Sequence, residues 1–227
     1  MKKNAFSEIF FYPCHMKFTK NSLFIDIGAS FIKIHPLELK LPTPLNANPK
    51  KILSLLKTIK IPKKFNSVFV GFPGVVIDGV CLNAPNLSNS SWIDFPLQNK
   101  LSALFNRKTL VLNDADLHGY KIISGKGVEL VVALGTGVGS AIFCDGKILP
   151  NLELGHTPFL NNKSYEQILG LSQFHKQGQR KWEQCLLQAI RNWEKLSNPQ
   201  KIYLSGGLSL VIKNKKILNS VIVVGNP

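Results

Sequence analysis

Twice along this chain an apolar strand runs into a glycine turn and back out through a second apolar strand. The first copy is Ser22–Ile27, Gly28-Ala29-Ser30 and Phe31–Ile34; the second is Glu129–Leu134, Gly135-Thr-Gly-Val-Gly139 and Ser140–Cys144. Apolar runs bounded by such turns predict β-hairpins. Two further turns, Asp78-Gly79 inside Val75–Leu82 and Asp145-Gly146 before Lys147–Leu149, carry a dipeptide that favours two-residue hairpin loops. The duplication predicts an α/β chain of two similar lobes facing a cleft, at 22–113 and 114–227, behind an N-terminal extension at 1–21.

The rest of the pattern fits that plan. Ile52, Leu55, Leu56 and Ile59 have the spacing of one helical face, and Ser67–Gly71 reads as a strand. Asn83–Ile93 reads as loop, leading through Pro96–Phe105 to a strand at Thr109–Leu112, so Asn113-Asp114 falls at a strand end. The longest helical stripe is Trp182, Cys185, Leu186, Ala189, Ile190, Trp193 and Leu196 within Lys181–Leu196, its tryptophans being core anchors. A strand at Lys201–Leu204 meets Ser205-Gly-Gly207, and Ser220–Val224 is a last apolar run.

Composition narrows the class. A length of 227 residues buries a substantial core, and 44% hydrophobic with 18% charged residues is a globular profile. No apolar stretch approaches the roughly 20 residues that span a bilayer, and Glu8 and Pro13 interrupt the N-terminal patch, so neither a membrane anchor nor an export signal is expected. Met16-Lys-Phe-Thr-Lys20 runs straight into the first strand and is an alternative start. Cys14, Cys81, Cys144 and Cys185 lie far apart in apolar runs, which favours reduced core thiols and a cytoplasmic protein over a disulfide framework. The net charge of +15 favours polyanionic partners, although the lysines are spread through every segment and a lysine-rich surface without one partner explains them equally. Only Arg107, Arg180 and Arg191 among the 28 basic residues are arginines, which argues against sequence-specific nucleic-acid readout.

Three clusters could carry chemistry. Asp26 beside the Gly28 turn, with Lys33 on the other arm, could hold hydrated magnesium and approach phosphate oxygens, although aspartate before glycine is also an ordinary turn former. The three glycines of Gly135-Thr-Gly-Val-Gly139 let backbone N–H groups converge on an anion, and few structural hairpins need that many. Asn113 and Asp114 could present an amide and a base to a polyol, with Glu153 and His156 as a second polar pair; His156 alone would as readily be structural.

Taken in order, these residues resemble the ROK family of bacterial sugar kinases, in the branch containing polyphosphate-type glucokinases. The resemblance runs from Leu23 to Asn226 and is most specific in Leu134–Gly146 and in Pro150-Asn-Leu-Glu-Leu-Gly-His156. It implies a two-lobed actin-like ATPase (ribonuclease H-like) fold with a central cleft. It further implies phosphate binding by Asp26, Gly28 and Lys33 and by Gly135, Thr136 and Gly137, with Gly206 and Gly207 flanking a nucleotide. Asn113, Glu153 and His156 would hold the sugar, Asn86 would approach it, and Asp114 would be the base. The reaction implied is transfer from ATP or polyphosphate to a hexose, glucose giving glucose 6-phosphate, with Mg2+ held by Asp26 through water.

The departures are specific. Thr157–Gly170 stands where relatives carry zinc-binding cysteines, so no zinc is expected, and Ser205 opens the third glycine motif. Ala29-Ser30 replaces Gly-Thr, and alanine would be strained if φ there were positive. The sequence ends at Pro227, where relatives continue into a final helix; apolar surface so exposed could pair two copies as a homodimer. Ala29 and that ending support an alternative, a catalytically degenerate protein that binds a sugar or polyanion. The family's repressors carry a helix-turn-helix domain, for which residues 1–21 are too short.

Overall fold

The structure is a computed structural model describing residues 19–225. Nearly all of the expected N-terminal extension, with Cys14 and Met16, lies outside the described residues, as do Asn226 and Pro227. The elements in chain order begin with β1 (Ser22–Ile27), β2 (Phe31–His35), β3 (Leu39–Pro42), α1 (Pro49–Lys57) and β4 (Ser67–Phe72). There follow β5 (Val76–Ile77), β6 (Val80–Cys81), α2 (Leu97–Phe105), β7 (Lys108–Asn113) and α3 (Asp114–Tyr120). The second half contains β8 (Val128–Leu134), β9 (Val138–Cys144), β10 (Lys147–Leu149), β11 (Pro158–Leu160) and β12 (Lys163–Ser164). It ends with α4 (Tyr165–Leu169), α5 (Leu171–Ser197), β13 (Lys201–Ser205), α6 (Lys215–Leu218) and β14 (Ile222–Val223).

The duplication read from the sequence is a duplication of sheets. One five-stranded sheet has the order β3-β2-β1-β4-β7 and the other the order β10-β9-β8-β13-β14. In each, a three-strand antiparallel meander is extended by two parallel strands. Helices α1 and α2 bury Ile52, Leu56, Leu97 and Leu101 over the first sheet, while Trp182, Leu186, Ala189, Ile190 and Trp193 of α5 cover the second. Asp78-Gly79 and Asp145-Gly146 turn their hairpins with positive φ at both residues, the geometry those dipeptides favour.

α3 joins the two halves. It follows β7 directly, and Asn113 caps it by accepting from Ala115 N (2.9 Å) and Asp116 N (3.4 Å). Gly71 of β4 lets the Asp114 Cα and Leu117 approach one sheet, and Gly119 receives Phe143 of β9 from the other.

Several expectations need correction. Asn83–Ile93 holds a 3-10 turn at Asn89–Trp92, because Trp92 is buried and donates to Ala47 O at 2.8 Å. The long helix begins at Leu171 and is broken by Gly178 (φ 76), and Leu196 leaves the apolar stripe at 68% exposure. Cys81 is a buried thiol, pushed up to about 12 by burial, but Cys144 is exposed at the end of β9 and Cys185 is half-buried. Ala29 is absent from the residues with positive φ, so the anticipated strain does not arise. Among the described residues no helix is long and apolar enough to cross a membrane.

Candidate active site

A cleft of ≈1010 Å³ lies between the sheets, with α3 along its floor. Asp26 and Lys33 occupy one wall, on strands whose register pairs them directly, and Lys33 Nζ lies 3.7 Å from Asp26 Oδ2. Gly135, Gly137 and Gly206 form the facing wall, Asn113 and Asp114 the floor, and Asn86, Glu153 and His156 also line the space. Three expected residues, Gly28, Thr136 and Gly207, do not line it. The Gly28 N–H is instead spent on closing its own hairpin, donating to Phe31 O at 3.0 Å.

Local chemistry accounts for these positions. The N–H of Gly135 donates to Gly137 O at 3.0 Å, which tightens the second glycine turn. A side chain at residue 137 would collide with the carboxylate of Glu166, which accepts from Val138 N at 3.1 Å. Gly206, at φ 82, lies against the backbone of Leu134, where no Cβ fits, and so brings the third glycine motif up to the second. Ser140 Oγ donates to Leu152 O (2.6 Å) and accepts from Leu154 N (3.0 Å), pinning the loop that carries Glu153. His156 Nε2 lies 3.6 Å from Glu153 Oε2, so the two side chains face the cleft side by side.

Asp114 opens α3 with its carboxyl towards the cleft, and its Oδ1 accepts from Ala115 N at 2.8 Å. Although its side chain is open to cleft water, the surrounding walls reduce hydration of its charged form. That burial, with the nearby charges of Asp26 and Glu153, pushes its pKa up to about 6. The value suits a group that must take a proton near neutral pH. Asn113 is 6% exposed; its Oδ1 is committed to the α3 cap and one N–H of its Nδ2 donates to Gly74 O at 3.2 Å, leaving a second N–H.

Four cleft-associated groups escaped the sequence reading. Asp116 is 1% exposed; its Oδ2 accepts from Asn151 N at 3.0 Å, while Oδ1 has no partner among the described residues. Burial first, then Glu153 and Asp114, push its pKa up to about 7. Glu166 was hidden in α4, although the capping pair of Ser164 and Gln167 marks that helix in the sequence. His118 and Lys121 follow Asp114 at i+4 and i+7, a spacing visible only once α3 is recognised.

Among the described residues no group of three or more His, Cys, Asp or Glu side chains could cage a metal ion. The acidic wall residue Asp26 fits a magnesium ion that keeps its waters and takes its other ligands from phosphate.

The ROK family pattern matches residues 38–166. A polyphosphate glucokinase of Mycobacterium leprae (strain TN) is 33% identical over 208 residues, covering 82% of this chain and 63% of that protein. This chain thus spans just under two thirds of that relative's length. A polyphosphate glucokinase of Mycobacterium tuberculosis (strain ATCC 25177 / H37Ra) is 31% identical over 208 residues, 82% of this chain and 77% of its own. The solved inorganic polyphosphate/ATP-glucomannokinase of Arthrobacter sp. strain KM superposes with a TM-score of 0.69 at 26% identity, covering 89% of this chain and 90% of that one.

Proposed function

The chain belongs to the ROK family and has the family's actin-like fold, and from that premise we propose that it is a sugar kinase, moving a phosphoryl group from polyphosphate or ATP to a hexose hydroxyl. Glucose is the proposed acceptor and glucose 6-phosphate the product. The observation that carries this reading is the position of Asp114. It lines the same cleft as Glu153, His156, Asp26 and Lys33 and lies within electrostatic reach of both Asp26 and Glu153.

In the proposed reaction Glu153 and His156 hold ring hydroxyls, and the remaining Asn113 N–H donates to another. Asp114 accepts the proton of the attacking hydroxyl as that oxygen bonds to phosphorus and the donor's bridging P–O bond breaks. Lys33 and the backbone N–H groups of Thr136 and Gly137 stabilise charge on the transferring group, the Gly135 N–H being held by Gly137 O. Asp26 would hold magnesium through water, and the ion would supply neutralisation of the donor's phosphate oxygens.

The degenerate-protein alternative loses its strain argument, because Ala29 does not have a positive φ. The test is hexose phosphorylation by purified protein with magnesium, comparing glucose with mannose and ATP with polyphosphate. Turnover is expected to fall at least ~100-fold in Asp114→Asn. In the parent protein kcat/KM should rise with pH through about 6 as Asp114 loses its proton. A folded protein without turnover on any pair overturns the kinase reading.

A further inference from the structure

The stripe of α3 that faces the cleft continues beyond the candidate base. Asp114, Leu117, His118 and Lys121 all line the cleft at i, i+3, i+4 and i+7, the spacing of one helical face. From Asp114 to Lys121 this face is about 10 Å long, at 1.5 Å of rise per residue. That is further than a single transferring phosphoryl group reaches.

The charge along this face is unbalanced. Asp26 is already paired with Lys33 at 3.7 Å, and Lys121 has no salt bridge among the described residues. The Lys121 Nζ lies instead 4.9 Å above the Phe24 ring, which stacks on Phe69 at 5.5 Å. Burial and the nearby Lys33 lower the Lys121 pKa, while Asp26 only partly offsets them. His118 stands between this cation and the second sheet, its Nε2 2.8 Å from Ser205 Oγ at the end of β13. Burial and Lys121 lower the His118 pKa, so the cationic surface runs from Lys33 to Lys121, and His118 continues it towards Ser205 as a neutral hydrogen-bonding group.

We propose that Lys121 and His118, adjoining Lys33, form a subsite for the internal phosphate groups of a linear condensed-phosphate donor, behind the group being transferred. The proposal rests on the kinase reading for its orientation, with the donor's terminal phosphate near Asp114. A chain of repeating anions suits a run of cations spaced along a groove. A nucleotide needs a pocket for a flat base, and the Phe24 ring beside Lys121 is already engaged by Phe69 and the lysine. A basic residue capping the C-terminus of a helix also complements the helix dipole; on that purely structural role, Lys121 would affect stability and leave donor choice unchanged.

The test uses the full chain and two variants, Lys121→Ala and Lys121→Gln, the latter keeping most of the stem over Phe24. Equilibrium binding of long-chain polyphosphate is measured without sugar, at two salt concentrations, beside KM for long-chain polyphosphate, tripolyphosphate and ATP. Both variants should bind the long chain about fivefold more weakly and show a shallower salt dependence. Their KM for long chains should rise at least threefold more than their KM for ATP. Retention of long-chain affinity within twofold, equal losses for ATP and long chains, or no binding of polyphosphate by the parent protein would each overturn the subsite. A parent protein that binds polyphosphate through Lys121 yet turns over no hexose would refute the kinase reading and leave the subsite standing.

Discussion

At the level of single side chains, the first turn of α3 carries two carboxylates held above their ordinary range, Asp114 on the cleft floor and Asp116 buried beside it. Asp114 titrates at about 6 and Asp116 at about 7, each chiefly through burial. Asp114 was legible because Asn113-Asp114 ends a strand, where side chains commonly reach a cleft. Asp116 was not, since its importance comes from Asn151, 35 residues away, whose N–H it accepts. The sign of its effect on stability follows from proton linkage. A folded pKa raised from 3.8 to about 7 means that the folded chain keeps a proton the unfolded chain gives up. Stability from this residue is therefore full below about 4 and declines as pH rises through 7. Asp116→Asn, neutral throughout, should remove that slope. Its melting temperature relative to the parent should increase between pH 4 and pH 8, by an amount corresponding to at most a few kcal/mol. Parallel pH profiles for the two proteins would refute this account.

The hairpins, whose pairing is local, were read correctly as secondary-structure elements, down to the two Asp-Gly turns. The short pieces β3, β11, β12, α4 and α6 were missed, because two to five residues carry too little periodicity to identify. α3 was missed for a related reason: its seven residues carry two acids and a glycine, and its apolar contacts go to two different sheets. The turn before β8 shows what such connecting segments contribute. Glu129 is fully buried and accepts from Ser124 N, Ser124 Oγ, Gly125 N, Lys126 N and Tyr203 Oη. Burial alone would raise its pKa, but these donors together bring it down to about 2. Here the lowered folded pKa stabilises the protein above about 4.5 and is lost as pH falls through 2. Glu129→Gln should cost ~2–3 kcal/mol in urea unfolding at pH 7, since an amide N–H₂ would face backbone donors. The gap between variant and parent should narrow as pH approaches 2; a constant gap would locate the effect in packing instead.

For the molecule as a whole, the equal strand orders of the two sheets follow from the repeated hairpins, but their juxtaposition across α3 does not, because no local pattern encodes which distant walls meet. One bridge between the halves is specific. Asn151, held by Asp116, accepts from Val76 N at 3.1 Å and donates to Val76 O at 3.0 Å, tying the loop before Glu153 to the β5–β6 hairpin. Asn151→Ala removes both bonds while leaving every proposed sugar and phosphate contact in place. If the bridge sets the distance between the walls, KM for the hexose should rise about threefold to tenfold, with kcat falling alongside, because a misplaced acceptor is poorly aligned for transfer. Binding of polyphosphate in the absence of sugar should change much less, since the cations concerned, Lys33 and Lys121, lie on the first sheet and on α3. Steady-state kinetics in hexose and direct polyphosphate binding on the same preparation separate these effects. Equal loss of both would mean that Asn151 supports the fold in general, and unchanged hexose kinetics would mean that the halves hold their spacing without it.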